Sequence, residues 1–233
     1  VIVLSEKVQK YFKKFYDRDT VLIPNGVMTH ENRKANLITQ KFGLHKDEYI
    51  CALSRLTEEK GIHFLIEAYK ELKTDKKLVI AGATDGYVKM LKEMAGDDPN
   101  IIFTGFVSGK LLEEIYSNAY VYVLPSKLEG MPLSLLEAMS YGNCVIGSDI
   151  AEIADVVEDK AILFKKANVE DLKEKLQMVC DDVELVEKYK NEASGYICGK
   201  YNWEDVVNRT VEVYRGKKSC KEKLVENSSV ASI

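Results

Sequence analysis

The sequence predicts an α/β fold built on a mostly parallel sheet with helices on both faces. Short apolar runs recur along the chain, among them YICALS (49–54), KLVIAG (77–82), YVYVLP (120–125) and CVIGS (144–148). Each is apolar nearly throughout, whereas a strand with one wet face would alternate, so both faces are covered. Between the runs lie segments of helical period, and strands that alternate with helices are βαβ units.

In order, the chain opens on an apolar strand, VIVLS, with Val1 first and no capping turn before it, the pattern of a piece of something longer. Ser5 caps a helix over 6–16, with Val8, Tyr11, Phe12 and Phe15 on one face and Lys7, Lys10, Lys13 and Lys14 around the rest. That face reads as packing on its sheet, with solvated lysines, in preference to lying on a membrane. DRD at Asp17 to Asp19 matches a metal-binding DxD pattern, but it falls at a helix end before a strand, where turn chemistry accounts for it. Further strands are expected at VLIP (21–24), NIIFTG (100–105) and AILF (161–164). Helices fit at 33–42, 62–73, 87–95, 109–118, 133–141, 151–157, 169–180 and 184–194, and at 203–215 behind Asn202 as cap. The last residues, 217–233, have no period and are expected to be disordered.

Bulk properties exclude several classes. With 233 residues the chain can bury a sizeable core. A net charge of -4 offers no general attraction to nucleic acid or anionic lipid. No apolar run is long enough to span a bilayer, and the first residues lack the order of a signal peptide, so a cytoplasmic setting is expected. Cys51, Cys144, Cys180, Cys198 and Cys220 are odd in number and never CxxC, which argues for reduced thiols. With only His30, His45 and His63, a histidine metal cluster is not expected.

In a sheet of this kind ligands gather beyond the carboxyl ends of the strands. The loop after the strand at 49 is SRLTEEKG, whose Arg55 and Lys60 can grip a diphosphate, one as a fork and one as a point charge. TGFV at 104–107 offers the backbone around Gly105, with Phe106 nearby, for a planar base. The most informative stretch is EGMPLSLLEAM, 129–139. Pro132 suits a first helical turn, and N–H groups from Leu133 onward would point at an anion. Gly130 permits close approach. Glu129 falls before the helix and Glu137 a turn inside it, one carboxylate for a reacting end and one for a polar part further off. Neither GxGxxG nor GxxxxGK[ST] is present, which weakens dinucleotide and P-loop readings.

Together IPNGV (23–27), SRLTEEKG (54–61), TGFV and EGMPLSLLEAMSYG (129–142) resemble, in order and spacing, the donor-binding C-terminal half of retaining glycosyltransferases of family 4. The resemblance covers nearly everything from Val21 to Tyr214. It implies the Rossmann-like C-terminal domain of the two-domain GT-B fold over 21–200, a cross-over helix at 201–216, and in 1–20 a remnant of the N-terminal acceptor domain and linker. It also implies a nucleotide-sugar site. Glu129 would lie against the transferred sugar, Glu137 on the ribose hydroxyls, and Arg55 and Lys60 on the diphosphate with backbone from Gly130, Met131, Pro132 and Leu133. Gly105, Phe106 and Val107 would border the base, and Asn25 and Gly26 would join the donor contacts. Where many members carry a Gly-Gly-Pro-Glu-like run, this chain reads SDIAEI, with Glu152 but without the glycine turn.

The reaction implied is transfer to a hydroxyl acceptor with retention, needing no metal and no cofactor beyond the donor. A lipid-linked or polysaccharide acceptor would bring the protein to the inner face of the membrane. A glycosidase pair made of Glu129 and Glu137 would leave Arg55 and Lys60 without a task. An epimerase or phosphorylase of the same fold would keep the site and change the reaction. A half-enzyme that binds donor but turns over only with a partner domain or chain is the behaviour expected of these 233 residues.

Overall fold

The first elements stand apart from the main sheet. β1 (Ile2–Val3) and β2 (Val21–Leu22) pair in parallel as a two-stranded sheet, joined by α1 (Glu6–Tyr16). Ser5 caps α1, accepting from the Val8 N–H at 3.4 Å, and Asp17 ends it at a left-handed φ of 43°. Lys13 reaches both Asp17 and Asp19, at 3.0 and 3.2 Å, so the DRD carboxylates are engaged at the end of α1, with Asp17 as its cap. VLIP contributes to this short pair through Val21 and Leu22, and one expectation changes: α1 buries none of its side chains.

Thereafter strands and helices alternate: α2 (Leu37–Phe42), β3 (Tyr49–Leu53), α3 (Ile62–Lys70), β4 (Lys77–Ala81), α4 (Tyr87–Ala95), β5 (Ile101–Gly105), α5 (Gly109–Asn118), β6 (Val121–Leu124), α6 (Leu133–Ser140), β7 (Cys144–Ser148), α7 (Ala151–Val157) and β8 (Ile162–Phe164). Three helices follow, α8 (Val169–Asp181), α9 (Val183–Lys200) and α10 (Trp203–Tyr214). The computed structural model describes residues 1–83 and 86–216. The tail expected to be disordered lies outside them.

β3 to β8 form one six-stranded parallel sheet in the order β5-β4-β3-β6-β7-β8. Side chains divide by parity along each central strand: Tyr49, Cys51, Val79, Tyr122 and Val145 enter one apolar cluster, and Ile50, Ala52, Ile80, Val123 and Ile146 the other. This is the twofold repeat of a strand covered on both faces, and it explains why the runs read as continuously apolar. Helices α2, α5, α6, α7 and the later part of α9 fill the first cluster, α3, α4, α8 and the start of α9, through Val186, the second. Desolvation there pushes the Cys51 and Cys144 thiols up to about 12.

Three helix boundaries differ from expectation by three residues or more: α3 ends at Lys70 instead of 73, and the other two differ for identifiable reasons. α2 starts at Leu37 instead of 33 because α5 takes the preceding backbone: Ser117 Oγ accepts the Arg33 N–H at 2.9 Å, and the buried Glu114 carboxylate accepts those of Asn36 and Ile38 at 2.9 and 3.1 Å. Glu114 thus does the work of the missing local cap. α9 runs through Gly195 and Gly199 to Lys200 because Ala193 and Ile197 are buried in the core and the Lys200 amine is tied to Glu158, the Asp155 carbonyl and the Tyr196 hydroxyl. Tertiary packing outweighs the glycine cost of roughly 1 kcal/mol each. α10 returns to the start of the chain: its cap Asn202 bridges Val27, and Arg209 donates to the Leu22 carbonyl. No helix among the described residues is long and apolar enough to cross a membrane.

Candidate functional site

The chain steps outward from β3 to β4 and β5, then returns to β6 on the other side of β3. The loops after β3 and β6 therefore leave adjacent strands at the topological switch point, where ligands bind in open α/β sheets. They meet backbone to backbone. Gly61, at φ +68°, has no room for a side chain, since a Cβ there would lie 2.0 Å from the Pro125 carbonyl oxygen. The Lys127 N–H donates to the Glu59 carbonyl at 2.7 Å, and Lys127 Nζ reaches Glu58 at 2.7 Å. Gly82, after β4, is packed the same way against the Ser54 carbonyl, at 1.9 Å from an added Cβ.

This junction brings Lys60 and Glu129 together. Lys60 ends a single 3₁₀ turn, Glu58–Lys60, and its Nζ lies 2.7 Å from Glu129 Oε1, with side chains only 15% and 6% exposed. Ser126 Oγ donates to the same oxygen at 2.6 Å, and the Ser126 carbonyl accepts from Ser148 Oγ at 2.6 Å. Both serines are buried. Among the described residues no donor reaches Glu129 Oε2. Lys60 is thus charge-matched by Glu129, whereas Arg55, on the same loop, is an exposed cation.

The EGMP loop leads into α6. Pro132 is the cap residue, one position before the helix proper, and its carbonyl accepts the N–H groups of Leu135 and Leu136 at 3.2 and 3.4 Å. Gly130 and Leu133 are exposed beside it. Met131 is held by Asn25, whose Nδ2 donates to the Met131 carbonyl at 3.1 Å and whose N–H lies 3.0 Å from its sulfur. Gly26, next in the chain, is buried for another reason: a Cβ would come within 2.9 Å of Trp203 Cα and Val206 Cγ2. Glu137 lies a turn inside α6, half-buried, and accepts from the Tyr116 hydroxyl on Oε2 at 3.0 Å.

The loop after β5 divides its three candidates. Gly105 takes a left-handed φ of 70°, and its carbonyl is already engaged by the Gly82 N–H at 2.9 Å and Thr104 Oγ1 at 3.0 Å. Phe106 is 78% exposed. Val107 is buried in the core, so only its backbone can serve a ligand. Glu152, at the start of α7, pairs with Lys7 of α1 at 2.6 Å. Burial pushes its carboxyl up, but the Lys7 bond and its own backbone N–H outweigh this and hold it below the usual range. Among the described residues no group of three or more His, Cys, Asp and Glu side chains is arranged to share a metal ion.

Sequence reasoning passed over Ser126, Ser148 and Tyr116. Ser126 had a usable signal, a hydroxyl directly past an apolar strand at its carboxyl end. Tyr116 had none, since a tyrosine in a buried helical stripe reads as core.

Comparison with known proteins bears on the family and the fold. The family model described as "Glycosyl transferases group 1" matches residues 35–196. An uncharacterized glycosyltransferase of Methanocaldococcus jannaschii is 32% identical over 91% of this chain and 57% of its own length. A glycogen synthase of Deinococcus radiodurans is 26% identical over 77% of this chain and 40% of its own. The chain thus spans about half the length of these relatives. Among solved structures, HepE of Anabaena in complex with UDP and glucose superposes with a TM-score of 0.83 at 20% identity, over 93% of this chain and 63% of that one. Sucrose-phosphate synthase of Thermosynechococcus elongatus gives 0.80 at 24% identity, over 93% and 57%. These likenesses show a GT-B type fold.

Proposed function

The chain belongs to the group 1 glycosyl transferases, and on that premise we propose that it is the donor-binding half of a retaining, family 4 enzyme moving a glycosyl group from a nucleotide diphosphate sugar to a hydroxyl acceptor. The observation that carries this reading is the meeting of Lys60 and Glu129 at the switch point, 2.7 Å apart, with the start of α6 close behind Glu129 in the chain. When the bond from the anomeric carbon to the diphosphate breaks, negative charge grows on the leaving group and positive charge on the sugar. Arg55, Lys60 and the first N–H groups of α6 stabilise the former, each preorganised donor being worth on the order of 3 kcal/mol in the barrier. Glu129, clamped through Oε1, turns Oε2 to the sugar and offsets the latter. Glu137 takes the ribose hydroxyls, Phe106 stands beside the base, and Asn25 steadies Met131 under the phosphates. In this scheme no metal is required, and the donor is a substrate and not a cofactor. Acceptor contacts are assigned to an N-terminal domain outside these residues, so the chain alone binds donor without turnover.

Calorimetry with UDP, GDP, ADP and their sugars tests this, UDP first because HepE was crystallised with it. Saturable binding of one of them is expected, and binding of none sinks the proposal. Arg55→Ala and Lys60→Ala are expected to weaken the diphosphate about a hundredfold while leaving the nucleoside within about threefold. Equal losses on both ligands would remove these cations from the phosphate role.

A further inference from the structure

We infer that Tyr116 is a positioning residue whose hydroxyl orients the Glu137 carboxylate toward the ribose hydroxyls of the donor. This rests on the reading of Glu137 given above. Tyr116 sits on α5, 2% exposed, and its ring is fixed on two sides: Tyr122 lies 5.9 Å away, centroid to centroid, and Tyr141 stacks at 5.5 Å and 14°. Tyr141 is stacked in turn on His30 at 4.6 Å and 8°. The main chain is pinned as well, since the Tyr116 carbonyl accepts from Asn143 Nδ2 at 2.9 Å. From this rigid base the hydroxyl projects to Glu137 Oε2 at 3.0 Å, with the Ser134 carbonyl farther off at 3.5 Å.

A core built of such rings would accept phenylalanine equally well, so packing does not explain the hydroxyl. A buried hydroxyl is costly unless it is bonded, and here its near partner is a carboxylate. Burial, with Tyr122 and Glu137 nearby, raises the hydroxyl well above its ordinary range, so it remains a donor at any working pH. The geometry suits a vicinal diol. A carboxylate has about four acceptor positions, so one taken by tyrosine fixes the rotation of the group and leaves Oε1 and the second lone pair of Oε2 for two adjacent hydroxyls.

The test uses the chain as it is, with calorimetric titration of UDP, 2′-deoxy-UDP and 3′-deoxy-UDP, or the GDP or ADP set where that base is the one bound. Tyr116→Phe keeps the ring stack and is expected to bind the ribonucleotide about tenfold more weakly, while its affinity for the deoxy forms stays within about twofold of the unchanged chain. Glu137→Gln is expected to lose the preference for ribose altogether. The double variant Tyr116→Phe, Glu137→Gln should lose no more of that preference than Glu137→Gln alone, because both act on one contact. Equal loss on ribo and deoxy forms, or additive losses in the double variant, would overturn the role of Tyr116. A ribose preference that survives Glu137→Gln would overturn the reading of Glu137 itself, and no binding by any nucleotide would overturn both. If Tyr116→Phe lowers the melting temperature, the ratio between the two ligands still decides, since general loosening weakens both.

Discussion

The six-stranded unit and the flank made of β1, α1, β2 and α10 are both built from amphipathic segments, the flank's helices being the more sharply amphipathic and the less apolar overall, and they bury them differently. α3 and α6 each bury five residues, while α1 and α10 bury none. Tyr11, Phe15, Trp203 and Val207 are all exposed although their spacing is that of a helix face. Amphipathic period therefore records that a face is apolar and says nothing of whether a surface meets it. The flank is held by polar and main-chain devices instead: the Ser5 and Asn202 caps, Gln9 Nε2 on the Thr20 carbonyl at 2.9 Å, and the bridge from Val27 to Asn202.

The contrast can be tested by substitution. Ile80→Ala, a cavity in a fully buried strand, is expected to cost about 2–5 kcal/mol in denaturant unfolding. A loss under about 1 kcal/mol would mean that the centre of the sheet collapses around the void and that the two regions differ less than their burial suggests. Between these extremes lies the switch point. Lys60→Ala strands Glu129 at 6% exposure and is expected to cost about 3 kcal/mol, against less than about 0.5 for the exposed Arg55→Ala. Parity between the two would mean that Lys60 and Glu129 are solvated in solution and belong energetically with the flank. The smallest effect is expected for Phe15→Ala, at 61% exposure, within about 0.5 kcal/mol of the unchanged chain. A larger destabilisation would show that the flank has an apolar partner in solution.

Most of the sheet was legible because strands covered on both faces leave unbroken apolar runs, and βαβ alternation then dictates parallel pairing. The site was legible in outline for a related reason, since topology alone sends the loops of Arg55, Lys60 and Glu129 to the same end of the sheet. Other features depended on contacts distant in sequence. That Glu114 would cap α2 from 76 residues away has no local sign, nor has the choice of Lys60 over Arg55 as partner of Glu129. Which sheet VLIP joins was equally illegible, because a short apolar run carries no information about its partner.

Because the loops beyond β3, β4 and β6 touch through glycines and carbonyl oxygens, the shape of the crevice is written in main chain, at Gly61 against Pro125 and Gly82 against Ser54. Outward-pointing positions such as Phe106 and Leu133 bear no duty in holding that shape. Mutation can explore them without endangering the scaffold, while the two glycines admit no such drift. The molecule is thereby divided into an unalterable frame and a rim free to diverge toward new ligands.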